Sequence, residues 1–346
     1  MGTLLYAGTT EGMFAAKREN GAWQVTSHKL GDWEVSQVAV DPDDPNRVYA
    51  GTRGDGVVLS EDGGQSWRKP NRGRPGPGKV KCVTISPHDS STIYAGAEPI
   101  GVWVSHDRGA SWRELTSVWD VPSVASVDYP VPAVEPHVRS ISIDPTDADV
   151  IYASLQVGYM IKSTDAGKTW ALVDEHVDAD IHTVVVRPDD PKHIYVSTGG
   201  HEYRSGKTVG RSLYESLDGG ASWKAMAMEH EQEYSVPLAM HPKDPDLLYS
   251  ALAFGQPNQW RGRDGGARAL LVRSTDGGGS WTPADTGFEE VGRDYVESIA
   301  FDQTAPDNIY IGTRKGGLFA SGDAGETWSR VDLDLPEITD LRVITV

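Results

Sequence analysis

The sequence predicts an all-β fold, a single seven-bladed β-propeller of four-stranded antiparallel blades. Two repeats carry this prediction. An octapeptide of the form S-x-D-x-G-x-[ST]-W occurs six times, with its tryptophans about 45 to 58 residues apart. An apolar strand containing a tyrosine occurs seven times between these copies, at Tyr6, Tyr49, Tyr94, Tyr152, Tyr195, Tyr249 and Tyr310. Residues 1–346 are therefore expected to form one repeat domain.

The octapeptide has the composition of a turn between two strands. Its intact copies begin at Ser60, Ser105, Ser163, Ser216, Ser274 and Ser321. A degenerate copy ends at Trp23. An aspartate, a glycine free to adopt positive φ and a small hydroxyl residue can close such a turn through side-chain to backbone hydrogen bonds. The tryptophan is then expected to anchor the outgoing strand in apolar packing.

This octapeptide is the Asp-box, or BNR repeat, and the chain resembles Asp-box β-propellers along its whole length. The resemblance implies the fold and leaves the function open, since the family includes sialidases, other glycosidases, photosystem assembly factors and sorting receptors. Sialidases clamp a sugar carboxylate with three arginines and use a Tyr/Glu nucleophile pair. Tyr295 and Glu297 offer such a pair here. The Arg-Ile-Pro motif of sialidases is absent, and their six blades differ from the seven expected here.

The two ends of the sequence predict how the first blade is completed. The chain begins with Leu4–Gly8, which has the pattern of a second strand, and no inner strand precedes it. It finishes with residues 336–343, which have the pattern of an inner strand. We therefore expect the carboxyl-terminal strand to pair into the amino-terminal blade and remove its free edge.

Composition excludes several classes of partner. The net charge of −18 argues against nucleic acid or an anionic membrane as the main partner. No run approaches the roughly eighteen apolar residues of a membrane span, and the first residues lack the pattern of a secretory signal. The single Cys82 suits a reducing compartment and is expected to be a buried apolar filler. We expect a cytoplasmic protein.

Long insertions are expected to lie together on one face of the propeller, opposite the regular turns. They span residues 71–78, 116–136, 199–211 and 254–268. Variable loops on a rigid scaffold commonly carry function. Trp119, Tyr129 and Trp260 in these insertions could stack on sugar rings or form small cores that order the loops.

Polar residues gather at the predicted starts of the inner strands, beneath the insertions. Glu297 is the first candidate for a catalytic carboxylate, with Tyr295 beside it and Asp180 and His182 as the partner acid or base. The expected ligand-binding residues are His137, Arg139, His201, Glu202, Tyr203, Tyr234, Trp260, Arg293, Lys81 and Glu34. Such a concave polar pocket is the default site for a small ligand.

The sequence leaves several functions open. The first is hydrolysis or elimination on a carbohydrate or other small polar substrate, where a histidine and a tyrosine could abstract the proton in a lyase. The second is a non-catalytic scaffold that docks a protein partner on the inserted face. No cofactor is expected, although His137, His182 and His201 could hold a divalent metal if they converge.

Overall fold

The computed structural model describes residues 2–127, 134–208 and 210–346. Seven antiparallel sheets follow one another along these residues, so the fold is the predicted seven-bladed β-propeller. Six sheets have four strands. The second has three, and its fourth strand is reduced to a bridge between Leu59 and Arg68. Pro70, which has no backbone N–H for a sheet, follows this bridge closely.

The strands are short, and each pairs with its neighbour in the chain. The first four blades contain β1 (Thr3–Thr9), β2 (Gly12–Glu19), β3 (Ala22–Lys29), β4 (Val35–Asp41), β5 (Asp44–Thr52), β6 (Gly56–Ser60), β7 (Lys79–Ile85), β8 (Ile93–Glu98), β9 (Gly101–Ser105), β10 (Arg113–Glu114), β11 (Val138–Ile143), β12 (Ile151–Leu155), β13 (Met160–Ser163) and β14 (Ala171–Val173). The remaining strands are β15 (Ile181–Val186), β16 (Ile194–Thr198), β17 (Leu213–Ser216), β18 (Lys224–Ala225), β19 (Tyr234–His241), β20 (Asp244–Ala253), β21 (Leu270–Ser274), β22 (Thr282–Pro283), β23 (Val296–Phe301), β24 (Ile309–Thr313), β25 (Leu318–Ser321), β26 (Ser329–Arg330) and β27 (Ile338–Thr345).

The chain divides into two compact units. The first comprises Met1–Ala50, Leu59–Arg68 and Ala227–Val346, and the second comprises Gly51–Val58 and Lys69–Met226. Blades one, six and seven lie in the first unit, and blades three, four and five lie in the second.

The carboxyl-terminal strand completes the first blade, as predicted. Its sheet has the order β27-β1-β2-β3. The antiparallel register runs from Thr3 opposite Thr345 to Thr9 opposite Ile338. The inner edge of β1 is thereby paired, which satisfies backbone groups that a free edge would leave open.

The six octapeptides form the same hydrogen-bonded turn. In the copy that begins at Ser274, the serine Oγ accepts the N–H of Gly278 at 2.8 Å and donates to Asp276 Oδ1 at 2.7 Å. Asp276 also accepts the N–H and the hydroxyl of Ser280. The glycine equivalent to Gly278 has φ between 80° and 91° in every copy. The predicted side-chain to backbone closure is therefore confirmed.

The repeated tyrosines tie each of several blades to the next turn. Tyr152 donates to the carbonyl of Gly219 in the octapeptide of the following blade, at 3.5 Å. Tyr249 donates to the carbonyl of Ala324 in the same way, at 2.8 Å. Both rings are almost fully buried. At these two places the tyrosine strand of one blade is thus bonded to the octapeptide of the next.

The degenerate octapeptide of the first blade folds differently from the other six. Asn20 and Gly21 form a two-residue turn between β2 and β3, with φ of 51° and 85°. Positive φ at both positions is the geometry of an Asn-Gly hairpin turn that matches strand twist. The first blade thus replaces the octapeptide with a tighter connection.

Short helices occupy the insertions. Two 3-10 helices, Thr116–Asp120 and Val124–Ser126, lie before β11, and part of this insertion, including Tyr129, falls outside the described residues. Helix α1 (His201–Arg204) lies between β16 and β17, and α2 (Pro257–Trp260) lies between β20 and β21. A third helix, α3 (Glu289–Asp294), precedes β23 and had no counterpart in the sequence prediction.

Cys82 is buried on β7, as expected. A Cβ at Gly96 of the neighbouring strand would overlap its sulfur, which shows how tightly the thiol is packed. Burial raises the pKa of the thiol to about 12. The cysteine is therefore a neutral core residue.

Candidate functional site

The predicted site residues lie at the starts of the inner strands. Glu34, His137, Asp180 and Tyr295 each immediately precede an inner strand, and Tyr234 begins one. Glu297 and Tyr295 belong to the first unit, whereas Asp180 and His182 belong to the second. The pairing of Glu297 with Asp180 and His182 stays a prediction.

In the first unit, Arg314 joins two carboxylates. Its Nη1 donates to Glu297 Oε2 at 3.2 Å, and its Nη2 lies 2.7 Å from Glu337 Oε1. Glu297 lies on β23, and Glu337 immediately precedes β27. The guanidinium therefore fixes two acidic side chains at the starts of two inner strands.

A cavity of about 400 Å³ opens beside this ion pair. It is lined by Pro257, Trp260, Arg261, Gly262, Arg263, Gly266, Arg293, Asp294, Arg314, Lys315 and Glu337. The lining comes from the loop around α2, the end of α3, the β24–β25 turn and the start of β27. The volume suits one or a few sugar rings, and its lining includes both carboxyl groups and cations.

Glu337 is one of two carboxyl residues in the lining of this cavity. Burial raises the pKa of its carboxyl group, and the nearby carboxylates of Glu297 and Glu34 raise it further, while Arg314 and Arg261 oppose the shift. A carboxyl group with a raised pKa holds its proton closer to neutral pH, which is the property that a general acid needs.

Asp294 is the second carboxylate of the cavity lining. Its Oδ1 lies 2.9 Å from Lys315 Nζ. The lysine ammonium and this carboxylate form an ion pair between α3 and the β24–β25 turn. The cavity thus contains two carboxyl groups in different electrostatic surroundings.

A tight turn holds Arg314 against the segment that carries Glu337. Gly316 has φ of 82°, and a Cβ at this position would overlap the carbonyl oxygen of Leu335. Only glycine fits both the backbone conformation and this close approach. The position of Arg314 next to Glu337 therefore depends on Gly316.

Tyr295 is held in the core of the first unit. It is fully buried, and its hydroxyl accepts the N–H of Val236 at 2.7 Å and donates to the carbonyl of Ala251 at 3.2 Å. Burial raises its pKa well above the ordinary value. The phenol is thus engaged by backbone groups on both sides, and its catalytic role stays a prediction.

Tyr234 and Trp260 also form part of a core. The two rings meet edge to face with centroids 5.5 Å apart, and Trp260 lies 4.9 Å from the ring of Tyr295. The indole N–H of Trp260 donates to the carbonyl of Phe254. Trp260 thus orders its loop from inside while one side of it still borders the cavity.

In the second unit, Asp180, His182 and Gln156 form a buried cluster. The Gln156 amide nitrogen donates to Asp180 Oδ1 at 2.9 Å, and His182 Nε2 lies 3.3 Å from the same oxygen. Burial alone would raise the pKa of Asp180, but His182, Arg204 and His201 lower it overall. Gly199 packs so closely that a Cβ there would overlap Asp180 Oδ2.

Asp178 organises the insertion of the fifth blade. Its carboxylate accepts the backbone N–H groups of Asp180, His201, Glu202 and Tyr203. The predicted ligand-binding residues His201, Glu202 and Tyr203 are thereby held on α1. Glu202 in turn accepts the Tyr159 hydroxyl at 2.7 Å, and Arg211 lies over the Tyr203 ring at 5.4 Å.

Lys81 is one of three cationic side chains that surround the carboxylate of Glu98. Glu98 Oε2 lies 2.9 Å from Lys81 Nζ and 3.3 Å from Arg53, and Glu98 Oε1 lies 3.3 Å from Lys79. Burial would raise the pKa of Glu98, but these cations lower it to about 2. Burial lowers the pKa of Lys81 to about 8, despite Glu98.

His137 and Arg139 border the same group. Burial and the charge of Lys81 lower the pKa of His137 to about 3, so its imidazole is neutral. Its Nδ1 lies 2.9 Å from the carbonyl of Glu135 and must carry the proton, because a carbonyl only accepts. Arg139 adds to the positive potential at both residues.

Across residues 2–127, 134–208 and 210–346, no group of three His, Cys, Asp or Glu side chains is placed to hold a metal ion. His137, His182 and His201 do not make such a group. Within the same ranges, no helix is long and apolar enough to span a membrane.

Sequence reasoning missed Glu337, Asp294 and Asp178. Glu337 had a signal, since it immediately precedes β27 just as Glu34 immediately precedes β4. Aligning the last inner strand with the other six would have identified it. Asp294 had none, because α3 was not predicted and its ion pair with Lys315 joins two separate loops.

Comparison with known proteins places the chain near two kinds of propeller. No protein-family model matches it. A xyloglucanase of Paenibacillus sp is 28% identical over 219 residues, which are 56% of this chain and 21% of that enzyme. The chain thus spans about a fifth of the length of this curated relative.

Solved structures share the fold at low identity. The GH74 xyloglucanase of Xanthomonas campestris aligns with a TM-score of 0.66 and 19% identity, over 99% of this chain and 52% of that one. YCF48 bound to D1 peptide aligns with a TM-score of 0.61 and 17% identity, over 91% of this chain and 88% of that one. The chain is therefore similar to a xyloglucanase in part of its sequence, and to both kinds of propeller in fold.

Proposed function

We propose that this protein binds a carbohydrate in the cavity of the first unit and hydrolyses a glycosidic bond there. The observation that carries the proposal is Glu337, a carboxyl group with a raised pKa in the wall of a cavity of about 400 Å³. Glycoside hydrolysis commonly uses one protonated and one ionised carboxyl group, and this cavity contains two carboxyl groups.

The residues take distinct roles in this proposal. Glu337 donates its proton to the glycosidic oxygen as the bond from that oxygen to the anomeric carbon breaks. The Asp294 carboxylate, held by Lys315, takes a proton from the water that adds to the anomeric carbon, or attacks that carbon itself. Glu297 is a positioning residue that holds Arg314 against Glu337.

The similarity to xyloglucanases supports a carbohydrate ligand and nominates xyloglucan as the first polymer to test. Because the chain spans only part of those enzymes, the activity and the substrate are both part of the proposal. We also propose that the protein is cytoplasmic.

The experiment measures new reducing ends released from xyloglucan and from polygalacturonate by the purified protein. Glu337→Gln and Asp294→Asn are each expected to reduce turnover by about 100-fold or more, the usual contribution of a general acid or base. Glu326→Gln is the matched control, since this exposed residue of blade seven pairs with Arg273 outside the cavity. Wild-type turnover in Glu337→Gln would reject the proposal.

A second candidate is non-catalytic docking of a protein segment on the same cavity. It is favoured by the coverage of 88% of the YCF48 chain, against 52% of the xyloglucanase chain. This candidate predicts no release of reducing ends from either polymer. It also predicts that the protein binds a peptide from a library saturably. Arg261→Gln should abolish this binding.

A further inference from the structure

We infer that the cavity of the first unit selects a saccharide that carries a carboxylate group, such as a uronic acid residue. The inference rests on the proposed function and names the class of its substrate. It departs from the xyloglucan in the names of the similar enzymes, because xyloglucan is a neutral polymer.

The lining of the cavity is cationic in a strongly acidic protein. It contains five cationic side chains, Arg261, Arg263, Arg293, Arg314 and Lys315, against the two carboxyl groups of Asp294 and Glu337. The whole chain carries a net charge of −18. A local excess of positive charge against such a background focuses an attractive potential for an anion at this cavity.

Three of these cations remain available to a ligand. Arg314 is bonded to Glu297 and Glu337, and Lys315 is paired with Asp294. The Arg293 side chain lies 3.7 Å from Glu289, and both side chains are largely exposed, so solvent screens this contact.

Arg261 and Arg263 complete the set. Arg261 is exposed, and its charge reaches Glu337, whose pKa it lowers. Arg263 donates through Nη1 to the carbonyl of Phe254 at 2.8 Å, which fixes the side chain without neutralising its charge. A guanidinium held in this way is ordered before a ligand binds.

Backbone contacts hold the two arginine-bearing segments side by side. Ala267 donates its N–H to the carbonyl of Arg293 at 3.1 Å, and Ala269 donates to Gly292 at 2.8 Å. A Cβ at Gly266 would overlap the carbonyl of Arg293. Arg293 is therefore kept next to the loop that carries Arg261 and Arg263.

The shape of the guanidinium group favours a carboxylate. It presents paired N–H donors in a plane, and a carboxylate accepts them with two parallel hydrogen bonds. A neutral sugar offers hydroxyl groups, which do not offset the charge of these arginines. A sugar carboxylate offsets the charge of the arginines, while the sugar ring lies beside the Trp260 side chain in the cavity lining.

The test compares two trisaccharides that differ only at C6. Cellotriose is neutral, and the corresponding cellouronate carries a carboxylate on each ring. Calorimetric titration of the full chain is expected to show about tenfold or tighter binding of the uronate, the effect of one charge-assisted contact. The difference should shrink as salt rises from about 0.05 M to about 1 M.

Variants assign the preference to the arginines. Arg261→Gln combined with Arg293→Gln is expected to reduce the preference to about threefold or less. Both side chains are exposed, so the substitutions should leave the fold intact. Arg68→Gln is the control, since this exposed arginine pairs with Glu61 outside the cavity and should leave the preference unchanged.

The outcomes separate this inference from the proposed function. Equal binding of the two trisaccharides, or an unchanged preference in the double variant, would overturn the inference. Hydrolysis of xyloglucan without any preference for uronate would leave the hydrolase standing and reject the carboxylate class. Uronate binding that requires the arginines, without hydrolysis of either polymer, would support the inference and reject the hydrolase.

Discussion

Arg314 Nη2 lies 2.7 Å from Glu337 Oε1, yet the pKa of Glu337 is raised. Burial and the neighbouring carboxylates of Glu297 and Glu34 outweigh the attraction of the guanidinium. The same guanidinium also lies 3.2 Å from Glu297 Oε2, so its charge is shared between two carboxyl groups. This relationship places a carboxyl group with a raised pKa beside a cation, in the wall of a cavity.

The raised pKa predicts the pH dependence of Glu337→Gln. Because the folded-state pKa lies above the unfolded value, the protonation of Glu337 contributes stability below the unfolded pKa of 4.5, and this contribution is lost as pH rises through the folded pKa. A permanently neutral glutamine should therefore be more stable relative to wild type at pH 7 than at pH 4. Urea unfolding at the two values measures the difference, and the opposite order would contradict the assigned shift.

Glu98→Gln is expected to destabilise the protein by about 3 kcal/mol at pH 7. The folded pKa of about 2 lies below the ordinary 4.5, so the contribution is present above pH 4.5 and is lost as pH falls toward 2. The cost should therefore be smaller at pH 3.5 than at pH 7 by denaturant unfolding. An equal cost at both values would show that the charge of Glu98 is not its source.

Lys81→Met tests whether Glu98 and Lys81 contribute to stability as a pair. Burial lowers the pKa of Lys81 to about 8, so its charge is costly and the net contribution of the pair is smaller than the shift of Glu98 suggests. The double variant Glu98→Gln/Lys81→Met should thus recover most of the stability that Glu98→Gln loses, to within about 1 kcal/mol of wild type. Additive losses would contradict the pairing.

The octapeptide turns should depend on their first serine. Ser274→Ala removes a buried hydroxyl that accepts the N–H of Gly278, and we expect a loss of about 1 to 2 kcal/mol in the free energy of unfolding. Ser280→Ala removes an exposed hydroxyl from the same turn and should cost about 0.5 kcal/mol or less. Chemical denaturation compares the two, and equal losses would argue against this hydrogen-bond assignment.

Gly316→Ala should disrupt the turn that holds Arg314. The left-handed backbone and the overlap with the carbonyl of Leu335 together predict a loss of about 3 kcal/mol or more in the free energy of unfolding. Gly73→Ala is the control, since Gly73 has φ of 78° and a Cβ added there would meet open space. Only the backbone cost of about 1 kcal/mol is therefore expected at Gly73. Similar losses at the two positions in chemical denaturation would show that the close approach to Leu335 is unimportant.

The fold was predictable because its determinants are local and repeated. Ser274, Asp276 and Gly278 lie within one turn, and each octapeptide repeats the same contacts over a few residues. The pairing of β27 with β1 followed from the pattern of the two ends of the sequence. Such signals are visible in one chain without knowledge of its tertiary contacts.

The candidate site was only partly predictable, because loops from distant parts of the chain build it. Glu297, Trp260 and Arg293 were identified from their strand or insertion, but Glu337, Asp294 and Arg261 are brought together by tertiary structure. The buried position of Tyr295 was also invisible, since a tyrosine before an inner strand looks the same whether it faces a cavity or a core.

The most direct test of the central claim is a crystal structure of Glu337→Gln soaked with the cellouronate trisaccharide. The account predicts a saccharide in the cavity of the first unit, with a glycosidic oxygen within hydrogen-bond distance of the side chain at position 337 and a carboxylate on Arg261 or Arg293. A saccharide bound elsewhere on the protein, with the cavity free of it, would contradict the account.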